Sequence, residues 1–260
     1  MAAYLEYGLD GRGAIVTGGG TGVGAACATE LAKAGVRVAI SGRRIDPLEE
    51  TMAECNKYTP GCIALPLDVS DSSAVKEAVR KAAETFGRLD VLVNNAGIDH
   101  DYKRGEHPFE KYFDVEDEEE YLSYFKIHTM GHYYMMKECC LYMAPAKFGR
   151  IVNVTSVLGL TGGMSIPPYT ASKAAAIIQT KAFARRYGKH NIAVNSVAPG
   201  FVNTPMKSMH IPEDLERIAA MTPLCKSGEP IDIARVVMFF AQEHLFITGQ
   251  NIVVDGGSNM

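Results

Sequence analysis

Short runs of aliphatic and β-branched residues alternate along this chain with stretches whose apolar positions recur at helical spacing. The runs Ala14–Thr17, Val36–Ser41, Ile63–Leu67, Val91–Asn94, Ile151–Thr155, Ala193–Ala198 and Asn251–Val254 predict about seven strands. Six helices are predicted between them: from the glycine turn after Thr17 to Ala34, about Pro47 to Tyr58, Ser73–Phe86, Glu118–Met143, Tyr169–Tyr187 and Ile231–Ala241. Strands that alternate with helices pair in parallel through right-handed crossovers. Runs such as AIVT and VLVN lack polar alternation, which suits a sheet covered on both faces. The expectation is one α/β domain over residues 1–260 with a doubly wound parallel sheet. Ligands of such sheets bind beyond the carboxyl ends of the strands. Two segments, about 98–120 and about 201–226, break the rhythm and are expected to be irregular. Long irregular segments in a compact domain usually serve function, here as a substrate loop and a substrate lid.

Composition narrows the function classes. The chain has 260 residues, 47% hydrophobic and 22% charged, which permits a large core. A formal net charge of −4 argues against nucleic acid as a main partner, because phosphate binding needs a basic face. The opening MAAYLEYGLDGRG lacks the basic and apolar regions of a secretory leader. No apolar run reaches the ~18 residues of a membrane span. A cytoplasmic protein with a small-molecule substrate and no membrane partner is therefore expected. Cys27, Cys55, Cys62, Cys139, Cys140 and Cys225 contain no C-x-x-C pair. They read as reduced, mostly buried residues, and no metal site is expected.

Two groups of residues carry chemistry. The first is TGGGTGVG, Thr17 to Gly24, between the first strand and its helix. Glycines there let the backbone approach a pyrophosphate, and the helix start supplies unpaired N–H groups. The second strand then ends VAISGRR. A carboxylate at that point would bond the adenosine ribose hydroxyls and repel a 2′-phosphate. Gly42 provides none, and Arg43 and Arg44 follow, whose guanidinium groups can grip phosphate. NADP(H) is expected in preference to NAD(H), although both arginines also fit a reading as solvated surface charges. The second group is Ser156, at the end of IVNVTS, with Tyr169 and Lys173 in YTASK. A four-residue spacing puts the tyrosine and lysine on one helix face. Free tyrosine, with a pKa of ~10, is a poor base. A neighbouring cation favours the phenolate, and a serine hydroxyl can bond a carbonyl oxygen where charge develops.

Together these motifs resemble the short-chain dehydrogenase/reductase family over roughly residues 10 to 257. The T-G-x-x-x-G-x-G spacing, Asp68-Val69, the NNAG run ending in Asn95, Ala96 and Gly97, Ser156 with Y-x-x-x-K, and Pro199-Gly200 all match. The resemblance implies a Rossmann fold. It implies cofactor contacts from Thr17, Gly18, Thr21, Gly22, Val23 and Gly24, and adenine contacts from Asp68 and Val69. Asn95, Ala96 and Gly97 are implied beside the adenosine ribose. Pro199, Gly200, Val202 and Thr204 are implied at the nicotinamide and diphosphate. Tyr169 becomes the general acid/base, Lys173 its cationic partner and ribose ligand, and Ser156 the group that orients substrate. A homo-oligomer, tetramer or dimer, is implied through the long helix and the helix after Tyr169, with Tyr133, Met136, Cys140, Ile177 and Phe183 on their apolar faces.

The chain departs from the family pattern in the long helix. YLSYFKIHTMG places His128 where the family carries a catalytic Asn that helps hold a water. Histidine can donate, accept and titrate near neutrality. It is read here as a relay residue, as a packed helix residue, or as the mark of a weakened relay. For substrate, Leu158, Met164, Phe201, Met206 and Met209 offer apolar, flexible surface. Ile166, Pro167, Ile211 and Met221 add to it. The first expectation is a ketone or secondary alcohol of the hydroxysteroid or cyclic-ketone kind. The alternative is a 3-oxoacyl thioester, for which Lys103, Arg104 and Lys207 are the candidate basic groups. A third possibility is an NADP-binding redox sensor with weak or no catalysis.

Overall fold

The computed structural model describes residues 7–98, 118–162, 167–204 and 212–259. Seven parallel strands form one sheet in the order β3-β2-β1-β4-β5-β6-β7. They are β1 (Gly13–Thr17), β2 (Arg37–Gly42), β3 (Ile63–Pro66), β4 (Val91–Asn94), β5 (Gly149–Val154), β6 (Ile192–Pro199) and β7 (Asn251–Val254). The helices are α1 (Gly22–Lys33), α2 (Ile45–Asn56), α3 (Ser72–Phe86), α4 (Glu118–Tyr124), α5 (His132–Ala146), α6 (Leu158–Thr161), α7 (Pro167–Tyr187), α8 (Pro212–Met221) and α9 (Pro230–Ala241). The strand order reverses between β1 and β4, so the crevice opens beyond β1, where the glycine turn lies.

Alternation within each strand feeds two cores. Ala14 and Val16 of β1 pack in the layer with α1 and α9. Ile15, between them, packs on the other face with residues of α3 and α5. This explains the continuous apolar runs, because both faces are covered. Local signals set the helix ends. Asp71 caps α3 by accepting from the amides of Ser73 and Ala74 at 2.8 and 3.1 Å. Gly87 ends the same helix at φ 70°, in the left-handed region. At the amino ends of the strands, buried Asp90 accepts from Arg12, Arg88 and the Gly13 amide. That ion cluster clamps the end of the sheet opposite the crevice.

Three sequence expectations change. The single long helix over Glu118–Met143 is instead α4, a π-helical turn at Phe125–Gly131, and α5, which extends to Ala146. Such wide turns occur often at functional sites, and this one carries His128. The segment 201–226 is not wholly irregular, since α8 forms within it. Met136, Cys140, Ile177 and Phe183 are buried in the subunit's own core, and of the suggested contact residues only Tyr133 is exposed. Among the described residues no helix is long and apolar enough to cross a membrane. No cluster of metal-ligating side chains occurs among them either.

Candidate active site

One cleft of about 680 Å³ runs across the carboxyl ends of the strands. At one end, Gly18, Thr21, Gly22 and Val23 line it. The start of α1 is open: Thr21 makes no side-chain cap, and no acidic residue occupies the first turn. Helix-start amides therefore face the cleft without a competing carboxylate. Gly18 has φ +62°, and a Cβ there would lie 2.9 Å from Ala96 Cα. The turn is locked from behind. Thr17 Oγ1 accepts the amides of Asn95 and Ala96 at 3.0 Å. Asn95 Nδ2 donates to the carbonyls of Thr17 and Gly18, each at 3.1 Å. The NNAG run thus both lines the cleft and fastens the glycine turn to β4.

Beyond β2, Arg43 and Arg44 reach the cleft wall. Both are exposed, and neither forms an ion pair with another described residue. Asp68 and Val69 line the same end, with Pro47 and Leu48 of α2 opposite.

At the other end stand Ser156, Tyr169 and Lys173. Ser156 Oγ accepts the Leu158 amide at 3.2 Å, which leaves its own hydrogen to donate. Lys173 is 5% exposed, and its Nζ donates to the Val154 carbonyl at 3.1 Å. The ammonium lies 5.7 Å from the centre of the Tyr169 ring. Pro199, Gly200, Val202 and Thr204 close this end. A glycine cradle, a basic corner and a Ser–Tyr–Lys group therefore share one continuous cleft.

Comparison with known proteins agrees with this geometry. A family model described as enoyl-(acyl carrier protein) reductase matches residues 18–259. The chain is 33% identical over 250 residues to the 3-oxoacyl-(acyl-carrier-protein) reductase FabG of Thermotoga maritima, covering 96% of this chain and 98% of that one. It is 34% identical to the L-rhamnose 1-dehydrogenase (NAD(P)(+)) of a Sphingomonas species, covering 96% of each. A crystal structure assigned to a short-chain alcohol dehydrogenase from Sinorhizobium meliloti 1021 superposes with a TM-score of 0.87 at 35% identity, covering 96% of both chains. The chain belongs to the short-chain dehydrogenase/reductase family. It is an oxidoreductase of CH–OH and C=O groups.

Some sequence-chosen residues of this short-chain dehydrogenase/reductase stand away from the cleft surface. Thr17 and Gly24 lie behind the wall rather than in it, and Leu158 and Phe201 do not line it. Met164, Met206 and Met209 fall outside the described residues. Leu48 was missed, because its role depends on how α2 packs over the glycine turn. Ser172 was missed as well, although it sits inside YTASK beside the lysine.

Ser172 matters through His128, which lines the cleft while remaining buried. The Ile98 amide donates to His128 Nε2 at 2.9 Å. His128 Nδ1 lies 2.9 Å from Ser172 Oγ, whose hydrogen goes to the Tyr169 carbonyl at 2.8 Å. Ser172 must therefore accept, and the hydrogen of a neutral imidazole is assigned to Nδ1. Burial, then the charge of Lys173, pushes the His128 pKa well below 6.5. Its ring stands edge-on to Tyr169 with centroids 5.4 Å apart. His128 ties the NNAG turn to the helix that carries Tyr169 and Lys173.

One turn on, His132 is held down to about 3 by burial and by Lys173. Unfolding exposes an imidazole that binds a proton below pH 6.5, whereas the folded ring does not until about pH 3. Stability should therefore fall as pH drops through that window, by up to about 1.4 kcal/mol per unit from this residue. Urea midpoints across pH 4–7 test this, and His132→Leu should flatten the dependence.

Proposed function

We propose that this chain is an NADP(H)-dependent reductase of 3-oxoacyl thioesters. The observation that carries the reaction class is the joining of the glycine cradle and the Ser156–Tyr169–Lys173 group in one cleft. Relatives described as 3-oxoacyl-(acyl-carrier-protein) reductases, matched along nearly their whole length, support the substrate. The hydroxysteroid or cyclic-ketone expectation rested on an apolar pocket. Its Met164, Met206 and Met209 lie outside the described residues, and Met221 is 74% exposed. Lys103, Arg104 and Lys207, considered for the thioester arm, also lie outside the described residues.

The cradle fits a dinucleotide, since Cβ atoms at Gly18 would fill the space between turn and strand. Bound NADPH supplies the hydride. Ser156 donates its hydroxyl hydrogen to the substrate carbonyl oxygen and holds it in place. Tyr169 passes its phenolic proton to that oxygen as negative charge develops there. Lys173, anchored on the Val154 carbonyl, keeps a positive charge beside Tyr169 and favours the phenolate that remains. His128 acts as a positioning residue, because its ring nitrogens are engaged by Ile98 and Ser172.

Arg43 and Arg44 are proposed to hold the 2′-phosphate. Arg43→Ala should weaken NADPH by about 10–100-fold while leaving NADH nearly unchanged, as expected for a charge-assisted contact. Titration with both cofactors checks it, and equal losses for the two would refute the assignment. A homo-oligomer is proposed through the exposed Tyr133, Leu141 and Ile178 of α5 and α7, to be checked by light scattering. For substrate, NADPH oxidation with 3-oxoacyl thioesters should exceed that with steroid or cyclic ketones. The reverse ranking would restore the apolar-ketone reading.

A further inference from the structure

The short helix α6 comes just after Ser156 and touches α7 at the catalytic lysine. Gly159 is the point of contact. A Cβ there would stand 2.8 Å from the Ala174 amide nitrogen, 2.9 Å from the Lys173 carbonyl carbon and 3.2 Å from Lys173 Cβ. The first two obstacles are backbone, so no side chain can rotate out of the way. Gly159 is not among the glycines with positive φ. Its conformation does not call for glycine; its neighbour does.

The same short helix holds Ser156. The Leu158 amide donates to Ser156 Oγ at 3.2 Å, and the Gly159 amide donates to the Ser156 carbonyl at 3.1 Å. On the other side, β6 holds the flanking residues. The Thr155 amide donates to the Val197 carbonyl at 2.8 Å, and the Val157 amide to the Pro199 carbonyl at 3.0 Å. The serine hydroxyl is thus aimed by α6, and α6 is seated on the backbone of α7.

We propose that Gly159 is a positioning residue, whose missing side chain sets the spacing between Ser156 and the Tyr169–Lys173 pair. The inference rests on the roles proposed above for those three residues. Burial decides which element yields when the contact is enlarged. At this level α7 is fixed: Ser172 is fully buried against His128, and Lys173 Nζ is tied to the Val154 carbonyl. By contrast α6 is one turn long, and Leu160, Thr161 and Gly162 are exposed. An added methyl group therefore displaces α6, and with it the amide that aims Ser156 Oγ. The glycine cradle, at the other end of the cleft, is left in place.

The first test needs no turnover. In the NADPH-bound protein the Leu158 amide should exchange its hydrogen slowly. Gly159→Ala should speed that exchange by about tenfold or more, while the amides of α7 keep their protection. Unchanged exchange at Leu158 would overturn the proposal, and so would exchange raised throughout α7 and β5, because the contact would then hold the fold and not the site. Ser156→Ala, which keeps Gly159, should release the same amide; if it does not, the Leu158 bond is not what aims the serine. The second test is a double-mutant cycle on NADPH-dependent carbonyl reduction. Gly159→Ala should lower kcat by about 10–100-fold with NADPH affinity unchanged, less than the ~10²–10³-fold expected for deleting an oxyanion donor outright. In a Ser156→Ala background it should cost nothing more. Additive losses would route the effect through Tyr169 or Lys173 and refute the assignment. If no carbonyl compound turns over but the Leu158 amide responds as expected, the functional reading fails and the placement of Ser156 by Gly159 stands.

Discussion

Tyr169→Phe should bind NADPH as well as the native chain and turn over about 10²–10⁴-fold more slowly. The hydroxyl is the only atom removed. The ring's edge-on packing against His128 and Tyr124 stays, and Ser172 still bonds the residue 169 carbonyl. Loss of the proton source should therefore appear in kcat with little change in cofactor affinity or melting temperature. Steady-state kinetics and a binding titration on the same preparation separate the two quantities. A loss of affinity matching the loss of rate would mean that the hydroxyl supports binding instead of proton transfer.

Gly24→Ala should weaken cofactor binding or destabilise the fold. The added methyl carbon would lie 2.1 Å from the Gly18 carbonyl oxygen and 2.6 Å from Asn95 Nδ2. Both obstacles belong to the lock that holds the glycine turn, because Gly18 accepts from Asn95 there. Neither can rotate away, so the turn itself must shift. An overpacking cost of about 3 kcal/mol is expected, seen as about 100-fold weaker NADPH binding or a melting temperature lower by about 6–12 °C. Gly188→Ala is the control, since a Cβ there meets nothing within 4 Å and should be nearly neutral. Similar behaviour of the two variants would remove the packing role assigned to Gly24.

The strands were legible because each is a short apolar run covered on both faces, as Ile15 shows by facing a different core from its neighbours Ala14 and Val16. The cofactor end was legible because its glycines meet backbone, a constraint that fixes residue type locally. Ser156, Tyr169 and Lys173 were legible because two of them share a helix face and the third follows directly on a strand. What pattern could not show depends on tertiary contact. The π-helical turn at Phe125–Gly131 spans only seven residues, too few for its altered period to show in the pattern, so the sequence reads as one helix there. The tautomer of His128 depends on Ile98 and Ser172, which lie 30 and 44 residues away in sequence. His132 gave no motif at all, and its burial emerges only when β4 packs under α5. The buried apolar faces of α5 and α7 misled in the opposite direction. Met136 and Phe183 carry the pattern of a subunit contact, yet they are used inside the fold.

The central claim is that this cleft moves a hydride onto a carbonyl carbon. It is tested most directly by supplying NADPH deuterated at the transferable position, together with a 3-oxoacyl thioester, and weighing the product. One deuterium on the carbon that carries the new hydroxyl, formed about 10²–10⁴-fold more slowly with Tyr169→Phe, is the predicted result. Tight NADPH binding with no deuterium in any product, across thioesters and ketones alike, would contradict it and identify the chain as a dinucleotide-binding module.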